Sequence, residues 1–340
     1  MTANNKMKSG ETTILSKRQE IMNRLNRAAG FLVIVTAGFA PTWGTKAADN
    51  NKRLTIVYAV QNMAWPWPAA AANLAKKEGD KLGVEILIQD AEGSSAKQSS
   101  ELRNAVVQGV DGIILAPVDV NALVPAIDDV IDAKVPLITV DRKVTASKVP
   151  LAYFGVDNVA AGEAMANYVI SKFPNGAKIF FLTGQLGSST ANERIRGVHQ
   201  VLAAGGAKYK IVSEQSGDFS RARALTVTQN VLSSLPEAPD AIIASNDDMA
   251  FGVLQAMQEA GVPQNNILVV GLDALPEALP LIRDGVLAAS VEDPLAQATT
   301  AVDAFVASLR NKTPLTGKVL EARTIEQSNV TTAERWDEVK

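Results

Sequence analysis

The 340-residue chain has no cysteine and one histidine. Without cysteine there is no disulfide framework, no thiolate metal site and no cysteine nucleophile. One histidine excludes a histidine-rich metal centre, and a Ser-His-Asp hydrolase would rest on His199 alone. That residue lies in Arg194-Ile-Arg-Gly-Val-His199-Gln-Val-Leu, an amphipathic helical pattern that reads as structural. Aromatics are sparse, with four Trp, four Tyr and nine Phe. Neither sign of charge dominates, since 33 basic and 36 acidic residues give a net charge of −3. Nothing here makes an electrostatic case for binding nucleic acid. What is abundant is apolar sequence, 47% of residues, which is a globular composition. The length suits two domains better than one core.

One apolar run stands near the start, residues 28–40, with Arg24 and Arg27 before it and Thr45-Lys46-Ala47 after it. A stable membrane span takes roughly 20 apolar residues, so this run is too short. A basic start, a short apolar middle and small residues near a cut after Ala47 describe a secretory signal peptide at residues 1–47. Met22 is a second candidate start. The segment holds seven of the basic residues and two of the acidic ones, so the remainder is more acidic. Export of a cysteine-free chain suits an oxidising compartment.

The remainder repeats itself. Asp111-Gly-Ile-Ile-Leu-Ala-Pro-Val-Asp119, a helical segment, and Val135-Pro-Leu-Ile-Thr-Val-Asp141-Arg142 have an echo in the second half. The echo is Asp240-Ala-Ile-Ile-Ala-Ser-Asn246-Asp247-Asp248, a helical segment, and Ile267-Leu-Val-Val-Gly-Leu-Asp273. Each copy is a strand-helix-strand unit, which predicts two lobes. Strands are expected at 54–60, 84–88, 113–116, 137–140, 178–182, 210–212 and 287–291, beside those of the repeat. Between them, Pro68 opens a helix that stops at Gly83, Ser94 or Ser95 caps one running to Gln108, and further helices cover 120–133, 158–172, 276–283 and 294–309. Such alternation indicates βαβ units and parallel sheets covered on both faces.

Polar residues gather just after the carboxyl ends of these strands: Gln61, Asp90, Asp141, Arg142, Asn246, Asp273 and Asp293. In open α/β sheets that edge is where ligands bind, so a cleft between two facing sheets is expected. Asp141 and Asp273 are acceptors, Arg142 is a forked donor and Asn246 is both. Together they suit vicinal hydroxyls, each of which donates to a carboxylate and accepts from Arg or Asn. Trp65 and Trp67 offer flat faces for the C–H side of a sugar or cyclitol ring, with Phe219 as an opposing wall. The loop from Thr183 to Thr190 matches neither GxxxxGK[ST] nor GxGxxG and reads as a tight turn bringing Arg194 to the cleft. Asp247-Asp248 lacks the spaced ligands of a calcium loop. No cofactor and no metal are expected.

These motifs carry a family resemblance. Val140-Asp-Arg142, Gly155-Val-Asp-Asn158, Glu193-Arg194-Ile-Arg-Gly197, Ser245-Asn-Asp-Asp-Met-Ala250 and Gly271-Leu-Asp273 resemble the periplasmic sugar-binding proteins of ABC importers, over about 54–330. The group is the ribose-binding-protein-like one. Gly187-Ser-Ser189, Gly197-Val-His199, Leu225-Thr-Val-Thr-Gln-Asn230 and Asp273-Ala-Leu-Pro-Glu-Ala-Leu279 are most similar to its myo-inositol-binding branch. The resemblance implies an α/β type I fold, two Rossmann-like lobes with parallel sheets joined by a three-strand hinge. The N-terminal lobe would be 53–156 plus 294–322 and the C-terminal lobe 157–293 plus 323–340, with crossings near 155–157, 290–293 and 320–324.

It also implies that Asp141, Arg142, Arg194, Asn246 and Asp273 hydrogen-bond the ligand, with Trp67 and Phe219 as its walls. Gln61, Trp65 and Asp293 depart from the family's usual Ser, polar residue and Gln, and are expected to choose the ligand. The expected function is that of a periplasmic solute-binding protein without catalytic residues. It closes on a monosaccharide or cyclic polyol (myo-inositol-like first, then ribose, another aldose or an amino sugar) and delivers it to an ABC permease in the inner membrane. A monomer is expected, with a chemoreceptor as a further candidate partner. One alternative is a sugar-modifying enzyme with Asp141 and Asp273 as an acid–base pair, although Arg142 and Asn246 are expected to keep both ionised. The other is a sugar-responsive regulator, which needs an N-terminal helix-turn-helix where the signal stands.

Overall fold

A computed structural model describes residues 53–144, 147–263 and 266–339; the signal-peptide expectation for residues 1–47 lies outside them. The first βα series is β1 (Thr55–Val60), α1 (Pro66–Lys81), β2 (Glu85–Asp90), α2 (Ser95–Gln108), β3 (Gly112–Leu115), α3 (Val124–Asp132), β4 (Leu137–Val140) and β5 (Tyr153–Val156). The second is α4 (Asn158–Lys172), β6 (Ala177–Thr183), α5 (Ser189–Gly205), β7 (Tyr209–Ser216), α6 (Arg221–Ser234), β8 (Ala241–Ala244), α7 (Asp247–Glu259), β9 (Leu268–Asp273), α8 (Ala278–Arg283) and β10 (Ala289–Glu292). The chain ends with α9 (Ala296–Asn311), β11 (Lys318–Leu320), β12 (Thr324–Glu326) and two short 3₁₀ turns.

Two six-stranded sheets result, ordered β2-β1-β3-β4-β5-β11 and β7-β6-β8-β9-β10-β12. In each, strand order reverses beside the first strand, and that switch point opens a crevice at the carboxyl edge. The strands are short and almost wholly apolar because helices cover both faces: β3 and β8 are buried at every position. The chain changes sheet three times, after β5, after β10 and between β11 and β12. Helix α9 accordingly returns to the first sheet, where Ala301, Val302, Phe305 and Val306 join its core.

The internal repeat is physical at its starting ends. Asp111 accepts the Thr55 backbone N–H through its carboxylate at 2.8 Å, and Asp240 accepts that of Lys178 at 2.6 Å. Each aspartate clips the strand beside its own.

Three expectations need correction. The second sheet is not wholly parallel, because β12 pairs antiparallel to β10. Its predecessor β11 reaches the crossing at its carboxyl end, so β12 enters the second sheet from the cleft side, against the direction of its neighbours. Helix α1 starts at Pro66 rather than Pro68, with Trp65 as its N-cap, since proline fits the first helical turn where no N–H is needed. Strand β7 is longer than 210–212, running to Ser216 along the edge of the sheet. Among the described residues no helix is long and apolar enough to cross a membrane.

Candidate functional site

Of the eleven residues singled out at the cleft, all but Asp90 line one cavity, together with Pro66, Pro68 and Thr190. The cavity lies between the carboxyl edges of the two sheets, so each side chain is aimed by the end of a strand or the first turns of a helix.

Asp141 follows β4 with a left-handed backbone, φ +61°. Such a conformation is sparse for residues with a Cβ and persists only where neighbours hold it. Here its N–H donates to Phe154 O at 2.9 Å and its carbonyl accepts from Tyr153 Oη at 3.0 Å. The kink turns the carboxylate into the cavity, where Oδ2 accepts from Gln61 Nε2 at 2.8 Å. Arg142 Nε stands 3.7 Å from the same oxygen. Arg142 is fixed by its own Nη1, which donates to the carbonyls of Pro117 and Val118 and to Gln185 Oε1. Its guanidinium carbon is 5.5 Å from the ring centres of both Trp65 and Phe219. Those rings meet edge to face at 5.9 Å, so an aromatic pair drawn from the two halves closes over the cation.

On the other side, the position of Arg194 depends on close helix packing. A Cβ on Gly162 would lie 2.3 Å from Arg194 O, and one on Gly197 2.1 Å from Val159 O. The two glycines let α4 and α5 touch backbone to backbone. Arg194 then donates to Asn158 Oδ1 at 2.8 Å, Ser245 O at 2.8 Å and Asp293 Oδ2 at 3.2 Å. Asn246 caps α7, accepting Met249 N at 3.0 Å, which leaves its amide N–H groups unengaged. Asp273 and Ala274 both have positive φ, +119° and +50°. Their turn is braced from behind: Ser290 Oγ accepts from Ala274 N at 3.0 Å, Asp247 accepts from Leu275 N at 2.8 Å, and Ser290 Oγ donates to Asp247 at 2.7 Å. Gly271 leaves room for the Asp247 carboxylate, which would stand 2.1 Å from a Cβ there.

Burial decides the electrostatics. It pushes the Asp293 carboxyl up to about 7 and Asp273 well above the usual range, with Arg194 pulling both the other way. Asp141 is raised too, by burial against Arg142 and Arg194. Arg142 is lowered by burial to about 10 and stays charged at neutral pH. Arg142 and Asn246 do not hold Asp141 and Asp273 in the ordinary carboxylate range, since burial raises both. Removing water from the carboxylates costs more than their neighbours return.

Some roles escaped the sequence. Trp67 is buried and donates its indole N–H to Asp293 O at 2.8 Å, tying α1 to the second crossing as well as facing the cavity. Gln185, Asn158 and Thr190 sit in stretches read as a turn and a helix start. The one signal for Asn158 is its place as the polar residue just past the first crossing. Asp90 does not reach the cavity; it accepts from Met63 N and Glu92 N in the turns beside it. His199 is half-exposed and pairs with Glu214 at 2.8 Å. Contacts also span the mouth of the cleft. Val120 N donates to Gly187 O at 3.0 Å, Lys143 N to Ser189 Oγ at 2.8 Å, and Lys143 Nζ pairs with Glu193 at 2.9 Å.

Comparison with known proteins gives consistent results. The family described as periplasmic binding protein domain matches residues 56–313. The ribose import binding protein RbsB of Bacillus subtilis is 34% identical over 77% of this chain and 83% of its own length. The galactofuranose-binding protein YtfQ of Escherichia coli is 31% identical over 70% of this chain and 77% of its own. Among solved structures, the Caulobacter myo-inositol binding protein bound to myo-inositol is 40% identical, with a TM-score of 0.83 over 85% of this chain and 98% of that one.

Proposed function

Because the chain belongs to the periplasmic binding protein domain family, we propose that it captures a monosaccharide or cyclic polyol between its two sheets and hands it to an ABC permease. The observation that carries this is the cavity itself. Acceptors from both halves, donors from Arg142, Arg194 and Asn246, and flat faces from Trp65, Trp67 and Phe219 converge on one space between the sheets. A ring bearing several hydroxyls matches that set, since each hydroxyl both donates and accepts. Hydrogen bonds to charged groups contribute roughly 1.5–3 kcal/mol each, and a buried group left unpaired costs as much, which discriminates between stereoisomers.

A myo-inositol-like cyclitol is the first candidate, supported by the 40% identity to the Caulobacter protein. Ribose and other aldoses follow, supported by the RbsB relatives. Residues 53–156 plus 294–322 and 157–293 plus 323–340 would move as the two lobes, hinged at the three crossings. The contacts at the mouth form on closure. Residues 1–47 would direct the chain to the periplasm, where it acts as a monomer. Raised carboxylates also suit proton transfer, but the relatives named above are binding proteins, and we assign no catalytic residue.

Thermal unfolding against pentoses, hexoses, amino sugars and inositols tests the reading. A ligand at 100 times its Kd adds about 2.7 kcal/mol of stability. If no member of the panel raises the transition, the ligand class is wrong. Turnover of the best binder into product would establish the enzyme instead.

A further inference from the structure

The charges in the cavity do not balance. Three carboxylates, Asp141, Asp273 and Asp293, face two guanidiniums, Arg142 and Arg194, and all five side chains are more than nine-tenths buried. Two of the carboxylates have a cation close by: Arg142 is 3.7 Å from Asp141, and Arg194 is 3.2 Å from Asp293. Each also accepts an amide N–H, Asp141 from Gln61 at 2.8 Å and Asp293 from Gln297 at 2.6 Å. Asp273 has no such support. Among the described residues its carboxylate accepts no hydrogen bond and has no cation within ion-pair distance, although it is 6% exposed. Its turn is braced by Ser290 and Asp247, which fixes the carboxylate toward the cavity.

Resting on the binding-protein reading above, we infer that the ligand is a cationic polyol, an amino-substituted cyclitol or sugar whose protonated amine lies against Asp273. An ammonium carries three donors and no acceptor, and Asp273 offers only acceptors. Its charge also neutralises the one carboxylate that the two guanidiniums leave over. Burial favours the protonated form of Asp273 in the ligand-free cleft, so a neutral polyol can bind with that proton in place, whereas an ammonium takes the place of the proton. Among the described residues no group of carboxylates is placed to hold a metal ion.

The test is calorimetric titration of the full chain at pH 7 with matched pairs, myo-inositol against an amino-deoxy-inositol and glucose against glucosamine. The amino member is expected to bind at least tenfold more tightly in any pair that binds. Asp273→Asn should cut that preference below twofold while keeping a cooperative unfolding transition. A neutral member that binds as tightly as its amino partner overturns the inference and leaves the binding-protein reading intact. No binding by either series removes that reading, and this inference with it.

Repeating the wild-type titration in two buffers of different ionisation enthalpy covers the case in which Asp273→Asn binds nothing. Asp273 interacts electrostatically with Arg194, Asp247, Asp293 and Asp141. Amino ligands should release protons on binding relative to their neutral partners, and their advantage should grow as pH rises. Equal proton exchange by both would also overturn the inference.

Discussion

The two copies of the repeat are alike at one end and unlike at the other. At the starting ends of their strands, Asp111 and Asp240 make the same bond to a neighbouring backbone N–H. At the cleft, Asp141 is held by Gln61 and flanked by Arg142, while the Asp273 carboxylate accepts no hydrogen bond among the described residues and stands on a turn braced by Asp247 and Ser290. A shared structural task keeps the same residue and contact in both halves. Facing one ligand from opposite sides requires different contacts, so the cleft ends diverge where the far ends do not.

The largest expected effect separates the two ends. Asp141→Ala should weaken ligand binding by about 2–5 kcal/mol, because it also strands Arg142 and Gln61 in a buried site. Its unfolding temperature should stay close to that of the ligand-free parent. Calorimetry and circular dichroism on the same sample check both halves of the statement, and unchanged affinity would take Asp141 out of the site.

The second effect belongs to the second lobe's cleft end. Burial pushes Asp247 up to about 7, against about 3.9 in an unfolded chain. The folded chain therefore holds a proton that the unfolded chain releases, and stability falls as pH rises from about 4 to 7, then levels. Across that window the loss is on the order of 2–4 kcal/mol. Urea melts of the ligand-free protein at a series of pH values measure it, and Asp247→Asn should make the dependence shallower by that share, with the raised carboxyls of Asp293, Asp273 and Asp141 supplying the rest. An unchanged slope in that variant would assign the titration to another group.

The far ends sharpen the likeness. Asp111→Ala and Asp240→Ala should each cost about 1.5–3 kcal/mol, the range for a hydrogen bond to a charged group. Neither should change affinity by more than about twofold. A large difference between the two melts would mean that the aspartates are not equivalent.

The smallest effect concerns the rim. Lys143 and Glu193 meet only across the mouth, at 2.9 Å, and both are partly exposed. Lys143→Met should weaken binding by about 0.2–1 kcal/mol, with the deficit shrinking in high salt. A salt-independent loss would point to packing instead.

How much the sequence revealed follows the same division. Strands, lobes and cleft were readable because apolar runs with polar ends recur at matching intervals, and short buried strands leave little else for those residues to do. Asp141, Arg142, Asn246 and Asp273 were readable from their place after a strand. Contacts that depend on the meeting of distant segments were not. Trp67 reaches the backbone of Asp293, 226 residues away, and Gln185 reaches Arg142 from the opposite lobe. The direction of β12 depends on which side the third crossing enters, which no local pattern records. The upward shift of the buried carboxyls is not legible for a related reason, since adjacency shows which charges are neighbours but not how thoroughly folding removes their water.

The most direct measurement is a calorimetric titration of the chain with the polyol or amino polyol that most raises its unfolding temperature. One ligand per chain is expected, with a Kd near 1 μM, about −8.2 kcal/mol. A folded variant with both Asp141 and Asn246 replaced by Ala should give no saturable heat. Binding of undiminished strength in that variant would place the ligand elsewhere and contradict the assignment of the cleft.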